Sequence, residues 1–441
     1  MSFTVRSRFT DLLVTGYGGL RLWRNMGDGT WDNQTVAAGL VDESWSSSAG
    51  WGDVDGDGNL DLYVAHYVDW SFDNDPPCAG PSGASDVCPQ RAFDGLDDVM
   101  FLSNGDGTFR DATEETGLVE GGKGLGVVLF DLDLDGDLDV YVTNDTTNNF
   151  LYVNDGKGRL REQAMISGTA VDDQANANGS MGVLVTDYDR DRLPDLFVTN
   201  YEQEVSALYR NGGDANFLYT SPEAGLKSLG TEFVGFGCVA GDFDTDGDED
   251  IAVANGHVVH HPRNAPALQQ PLLLANDRGG FHDISKDAGP YFLSDHTGRG
   301  LASGDLNRDG DLDLVFANTR APAAVLLNET KTSGSSLSLR LIGRGSNRDG
   351  IGARAVLRTQ KGERSHFIVG GGSYLSTSDL ALHFGVPAGD EIRELEVFWP
   401  GGDVTRLTAE QIRLLEKTPG RPHALVENLS GAATDRLISL P

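Results

Sequence analysis

Cysteine is scarce, with three in 441 residues. Cys78 and Cys88 share one Pro/Gly/Ser-rich segment, as a disulfide that suits an oxidising compartment or as two free loop thiols. Cys238 lies in the apolar run Val234-Gly-Phe-Gly-Cys-Val-Ala240 and reads as a small core residue. No apolar stretch is long enough to span a bilayer. No apolar core follows Met1, so no secretory signal peptide is expected and a cytoplasmic location stays open. Basic residues are also few: 34 against 67 acidic, a net charge of -33. Such a surface repels phosphate backbones and anionic lipid, so neither nucleic acid nor membrane insertion is expected. Nucleophile elbow, P-loop, dinucleotide fingerprint and metalloprotease helix are all absent.

Glycine is abundant, at 57 residues, and favours many turns between short strands. One unit recurs: an Asp-rich loop, Asp-Leu-x-Val, a variable loop, Leu-Tyr-x-Asn, Gly-x-Gly, then a polar strand. Its Asp-Leu-x-Val strands begin at Asp11, Asp61, Asp139, Asp195, Asp250 and Asp313. A four-stranded antiparallel sheet repeated at this spacing predicts an all-β propeller over residues 1–329. Six units are visible, the first without its Asp-rich loop, and a ring of seven blades is expected. Residues 66–98 are an insertion, either functional or a decorated surface loop. From Ser335 the alternation continues without Asp-rich loops, which predicts a second β-module over 330–420 and a partly ordered tail over 421–441.

The five Asp-rich loops place carboxylates at positions 1, 3, 5 and 9. They are Asp53/Asp55/Asp57/Asp61, Asp131/Asp133/Asp135/Asp139, Asp187/Asp189/Asp191/Asp195, Asp242/Asp244/Asp246/Asp250 and Asp305/Asn307/Asp309/Asp313. Position 7 (Asn59, Asp137, Leu193, Asp248, Asp311) can add a backbone carbonyl. Hard oxygens in a flexible cage predict Ca²⁺ at about five sites rather than Mg²⁺ or a transition metal. Glycine at position 6 supplies the positive φ of the turn. The third loop carries Arg192 there and Pro194 later, so Asp187–Asp195 is expected to bind most weakly. An EF-hand would need a Glu at position 12 and flanking helices; here position 9 opens a strand. A structural ion is expected ahead of a regulatory one.

These repeats resemble FG-GAP/VCBS repeats, as in integrin α-subunit propellers. The second module resembles the ASPIC/UnbV domain through Ser346-Asn-Arg-Asp-Gly-Ile-Gly-Ala353, Gly371-Gly-Ser-Tyr-Leu-Ser-Thr-Ser-Asp379, Leu382-His-Phe-Gly385 and Trp399-Pro-Gly-Gly402. The pair resembles bacterial relatives of cartilage acidic protein. That resemblance implies a calcium-binding interaction protein outside the cytoplasm, extracellular or periplasmic. It also admits the calcium-bearing propellers of natural-product pathways that form carbon–carbon bonds without an organic cofactor.

If the Asp-rich loops mark one face of the disc, the loops after the second strand emerge on the other, here called the upper face. They differ from unit to unit, which suggests a scaffold below and a site above. The expected binding-face residues are His66, Tyr67, Asp69, Asp145, Thr146, Tyr201, His257, His260, His261 and Arg320, with Lys123 and Arg299 at the channel mouth. Lys123 and Arg299 are alternatively solvated charges. The histidines at 257, 260 and 261 read as zinc ligands, as acid–base groups or as loop residues satisfying backbone. Asp145 is a base or an Asx-turn former; His257, His260, Asp145 and His66 are the catalytic candidates. The expected function is a calcium-stabilised propeller that binds a protein or glycan through the upper face. The alternative is a cofactor-free enzyme acting there on a small-molecule substrate.

Overall fold

Strands buried on both faces read as apolar runs rather than alternations. Asp61–His66, Asp139–Asn144 and Asp250–Asn255 are each buried along their whole length. The computed structural model describes residues 2–3, 9–80, 83–416, 423–427 and 437–439. Among these, six antiparallel sheets follow the sequence units in order. From the inner strand outward, blade 1 pairs Ser2–Phe3, Asp11–Val14, Arg21–Asn25 and Trp31–Asn33. Blade 2 pairs Ser46–Gly52, Asp61–His66, Val99–Ser103 and Phe109–Asp111; blade 3 pairs Gly124–Phe130, Asp139–Asn144, Phe150–Asn154 and Leu160–Glu162. Blade 4 pairs Val183–Thr186, Asp195–Val198, Ala207–Asn211 and Phe217–Tyr219; blade 5 pairs Gly235–Gly241, Asp250–Asn255, Leu272–Asp277 and Gly280–Asp283. Blade 6 pairs Gly298–Gly304, Asp313–Asn318 and Ala324–Leu326.

The apolar cores lie between blades, as propeller packing requires. Tyr63, Met100, Val140 and Tyr152 join blades 2 and 3; Tyr141, Leu196 and Tyr209 join blades 3 and 4. Phe197, Ile251 and Leu274 join blades 4 and 5; Ala252, Leu314 and Phe316 join blades 5 and 6.

Two expectations change. The seventh blade has no sheet among the described residues: after Ala324–Leu326 the chain enters the C-terminal module directly. Ser2–Phe3 supplies the first unit's inner strand, so each of the six visible units has its own sheet. The segment read as a tail instead contributes to the module. His423–Val426 runs parallel to Ser335–Ile342, because Ala424, Leu425 and Val426 are apolar enough to bury. Glu427 then caps the Ser346 motif, one carboxylate oxygen accepting from the backbone N–H groups of Arg344, Gly345 and Ser346.

The module is two four-stranded sheets. One orders Ala381–Val386, Ser335–Ile342, His423–Val426 and Leu437–Ser439; the other orders Glu363–Phe367, Arg354–Thr359, Ile392–Phe398 and Val404–Thr408. Its core is continuous with that of blades 1 and 2: Leu22, Trp51 and Leu62 share one cluster with Leu339, Ile351 and Leu395.

Candidate functional site

In each Asp-rich loop the first Asp turns one oxygen back onto the N–H of position 6. The pairs are Asp53–Gly58 (2.9 Å), Asp131–Gly136 (3.1 Å), Asp187–Arg192 (3.0 Å), Asp242–Gly247 (2.8 Å) and Asp305–Gly310 (3.1 Å). Position 6 takes a positive φ in every loop, including 72° at Arg192, where a side chain bears the strain. The other oxygen of Asp53, Asp131 and Asp187 is buried without a hydrogen-bond partner. Carboxylate oxygens converge within 4.8 Å in four loops: Asp53/Asp55/Asp57, Asp131/Asp133/Asp139, Asp187/Asp189/Asp191/Asp195 and Asp242/Asp244/Asp246. Burial, with crowding by sister carboxylates, pushes Asp53 up to about 6 and Asp131, Asp187 and Asp242 up to about 7. Buried, crowded, oxygen-only groups with orphaned atoms fit a hard cation.

Not every expected ligand joins these groups. Asp61 and Asp250, at position 9, lie outside them; each has both oxygens on backbone N–H groups, as does Asp139, which nonetheless lies within its group. Asp11 likewise accepts from the Asn25 N–H with one oxygen in blade 1, which has no Asp-rich loop. Position 9 is therefore first a stitch between loop and third strand. Asp135 and the fifth loop (Asp305, Asn307, Asp309, Asp313) also fall outside the converging groups among the described residues. In the third loop the Arg210 guanidinium bonds Asp189 and, at 2.6 Å, Asp191. A cation already sits among those carboxylates.

The C-terminal module covers the Asp-loop face. Arg364 Nε donates to Gly247 O at 2.9 Å, and His383 Nε2 bonds Gly310 O at 2.8 Å; both carbonyls belong to position 6 of a loop. From there residues 370–379 rise into the central channel as a hairpin. Gly370–Gly371 adds a fifth, innermost strand to blade 3, and Ser373 exchanges backbone bonds with Val183 of blade 4. Ser373 Oγ accepts from Cys238 N–H of blade 5 and donates to Leu301 O of blade 6. The chain then descends, with Asp379 N–H bonded to Ser303 O. Gly371 is required, since a Cβ there would lie 2.2 Å from Val127 O at a φ of 83°. Tyr374 at the tip packs edge-on against Phe236, with Leu125 and Met181 in the same cluster.

Above the tip, the candidate residues are brought together but already engaged. Asp145 accepts from Tyr67 Oη (2.6 Å) and Gln90 Nε2 (3.1 Å); burial raises its pKa despite these bonds. Lys123, expected at the channel mouth, is buried and donates to Gln90 O at 3.0 Å. Arg299 lies 4.1 Å over the Phe236 ring and donates to Gly256 O and His257 O. His257 is buried: Nδ1 accepts from Val259 N–H at 3.1 Å, while Nε2 stands 3.5 Å from Tyr201 Oη and Glu202. Burial holds its pKa down against the pull of Glu202.

His66, expected on the binding face, is instead a core residue. It is 1% exposed, wedged between Asp42 (3.1 Å) and Asp97 O (2.5 Å), and offers nothing to a ligand. Burial disfavours its charge, but Asp42 outweighs this and holds its pKa above the usual value. The reason is Asp42, which arrives from the connection between blades 1 and 2. His260 and His261 do not form a metal group with His257; their backbone N–H groups bond Asp86 at 2.8 and 3.1 Å. Arg320 lies 3.3 Å from His260, and Thr146 faces solvent beside Gln90.

Those contacts to Asp86 and Gln90 reveal a strap. The insertion is cross-linked by a Cys78–Cys88 disulfide and crosses the upper face from blade 2 to blade 5. The insertion is visible in the sequence but its reach is not, because its partner lies 174 residues away. Beside the strap lies an aromatic cluster that the sequence does not announce. Tyr17, Trp45, Tyr67, Trp70 and Phe72 meet edge to face at centroid distances of 5.1 to 5.9 Å. Their scatter over three loops hid them.

Comparison with known proteins agrees with this architecture. Residues 8–64, 92–142, 131–198 and 187–253 match a model described as FG-GAP-like repeat, and residues 343–415 match ASPIC and UnbV. The chain is 25% identical over 422 residues to cartilage acidic protein 1 of Xenopus tropicalis, covering 93% of this chain and 59% of that protein. To the Homo sapiens protein it is 26% identical, covering 84% and 53%. The chain thus spans little more than half the length of these relatives. Among solved structures, an Agrocybe aegerita lectin that recognises non-reducing terminal N-acetylglucosamine aligns at 15% identity, covering 74% of this chain and 92% of that one, at a TM-score of 0.34. No helix among the described residues is long and apolar enough to cross a membrane.

Proposed function

The chain belongs to the FG-GAP-repeat proteins that carry a C-terminal ASPIC and UnbV domain, and from that premise we propose that it is a calcium-stabilised recognition propeller. Calcium is held by Asp53/Asp55/Asp57, Asp131/Asp133/Asp139 and Asp242/Asp244/Asp246, and most weakly by Asp187/Asp189/Asp191/Asp195. The ion gives the orphaned oxygens of Asp53, Asp131 and Asp187 a partner and offsets the repulsion of the group. Recognition falls to the upper face. The hairpin carries that reading: with the Asp-loop face under the module and the channel filled by residues 370–379, the upper loops are the surface left for a partner. The Cys78–Cys88 disulfide favours an oxidising compartment.

Arrays of peptides and oligosaccharides, probed with the calcium-loaded protein, test the reading against a Tyr17→Ser/Tyr201→Ser variant. Binding that the variant loses supports it. Binding that is indifferent to both substitutions, and lost on changing Lys361 and Arg406 of the module, overturns it.

A further inference from the structure

On the reading of the upper face as a recognition surface, we infer that its aromatic cluster docks an arginine-bearing, basic segment of a protein partner. Phe72 is 80% exposed and Tyr17 49% exposed, side by side at 5.7 Å between centroids. Trp70 and Trp45 support them from below, and Trp45 in turn meets Tyr67. Large apolar side chains held at a surface by other rings, rather than folded inward, mark an interaction site.

The charge around the cluster selects the occupant. Asp69, Asp73 and Asp75 are exposed on the same loop as Trp70 and Phe72, and Glu43 is exposed beside Trp45. The chain has no Lys or Arg between Asn25 and Gln90. Thus no cation of that stretch answers these carboxylates, and the whole protein adds a net charge of -33. A guanidinium needs one ring face and one nearby carboxylate: Phe72 and Tyr17 are exposed, and Asp75 is held at the cluster by accepting from Trp70 Nε1 at 3.1 Å, which leaves its other oxygen for the guanidinium. An acidic partner is repelled. A neutral sugar can donate hydroxyls to the carboxylates but leaves their charge unpaired, and rings inclined at 62 to 87° to one another give it no continuous flat platform.

The test must separate this from loose attraction to an acidic protein. An (Arg-Gly)₄ peptide is titrated into the calcium-loaded chain and followed by tryptophan fluorescence and calorimetry, with (Lys-Gly)₄, (Glu-Gly)₄ and chitotetraose as parallel probes. The expected result is that the arginine peptide binds more tightly than the lysine one. Its Kd should rise about tenfold or more in Phe72→Ala/Tyr17→Ala, which leaves the charge unchanged. Asp73→Asn should weaken it too, whereas Asp32→Asn, on blade 1's outer strand, should not. An arginine-peptide affinity that the aromatic substitutions leave alone overturns the inference. Chitotetraose binding that depends on Phe72 overturns it while leaving the upper-face reading standing. No response to these substitutions from any probe removes the cluster from that reading altogether. Melting temperature, recorded for each variant, identifies any misfolded protein, and the exposed Phe72→Ala single substitution then carries the comparison.

Discussion

Asn154 of blade 3 donates its side-chain N–H to the carbonyl of Val54, in the Asp-rich loop of blade 2, at 2.8 Å. The same amide reaches Leu138 O of its own loop at 3.0 Å, and its backbone N–H bonds Asp139. The arrangement repeats around the disc. Asn211 bonds Leu132 O, Asn276 bonds Tyr188 O and Asn328 bonds Phe243 O, each in the preceding blade's loop. The Asn that closes Leu-Tyr-x-Asn is thus the rivet between blades. Blade 2 tests this internally. Its Asn104 follows a blade without an Asp-rich loop, and among the described residues its amide donates to the neighbouring Thr108 hydroxyl alone.

Asn154→Ala should therefore cost about 2–3 kcal/mol, since it strands two buried carbonyls. Asn104→Ala should cost less than about 0.5 kcal/mol as an exposed change. Urea denaturation of both variants measures the difference. Equal losses would remove the rivet role.

What the sequence made legible was local. Loop spacing, the glycine at position 6 and the strand after position 9 all lie within a dozen residues. The double use of Asp was not legible: Asp61 and Asp250 look like ligands, yet serve backbone amides. Nor was anything that depends on long closure. His66 stands at the start of a variable loop, and only Asp42 from the preceding connection explains its burial. The Gly371-Gly-Ser-Tyr motif gives no sign that its partners are Val127, Val183, Cys238 and Leu301.

Calcium removal should lower the melting temperature, because the clustered carboxylates then repel without a counter-ion. The third loop should contribute least, since Arg210 already neutralises Asp189 and Asp191. Arg210→Gln should raise calcium affinity there and enlarge the melting shift that chelator produces. Calorimetric titration of both proteins measures this, and a shift equal to the parent's would sink the argument.

Glu204 gives a pH dependence outside the metal loops. Burial pushes its pKa up to about 7, although it accepts from the N–H groups of Gly179 and Tyr201. A carboxyl with a raised folded pKa favours folding while protonated. Its contribution is full below the ordinary carboxylate range and is lost as pH rises through about 7. Glu204→Gln keeps an acceptor for both amides and cannot ionise. Its stability should fall less than the parent's between pH 5 and pH 8 (about the window these values span). Parallel denaturation curves at the two pH values decide it, and an unchanged slope would assign the dependence elsewhere.

The hairpin makes the two halves of the chain one folding unit. Gly371→Ala places a Cβ against Val127 O at 2.2 Å and at a left-handed φ. The innermost strand of blade 3 must then shift or the hairpin must withdraw. Tyr374→Ala removes only the tip, which packs on Phe236 below the strap. The first change should cost several kcal/mol, on the order of 3 or more, and loosen the module from the Asp-loop face. The second should cost about 3 kcal/mol from lost packing alone, with the backbone pairing to Leu129 and Val128 retained. Hydrogen exchange separates them. Gly371→Ala should expose amides of both the module and blade 3, whereas Tyr374→Ala should raise exchange near Phe236 only. If Gly371→Ala left the module protected, the hairpin would be a passive filler and the two halves would fold independently.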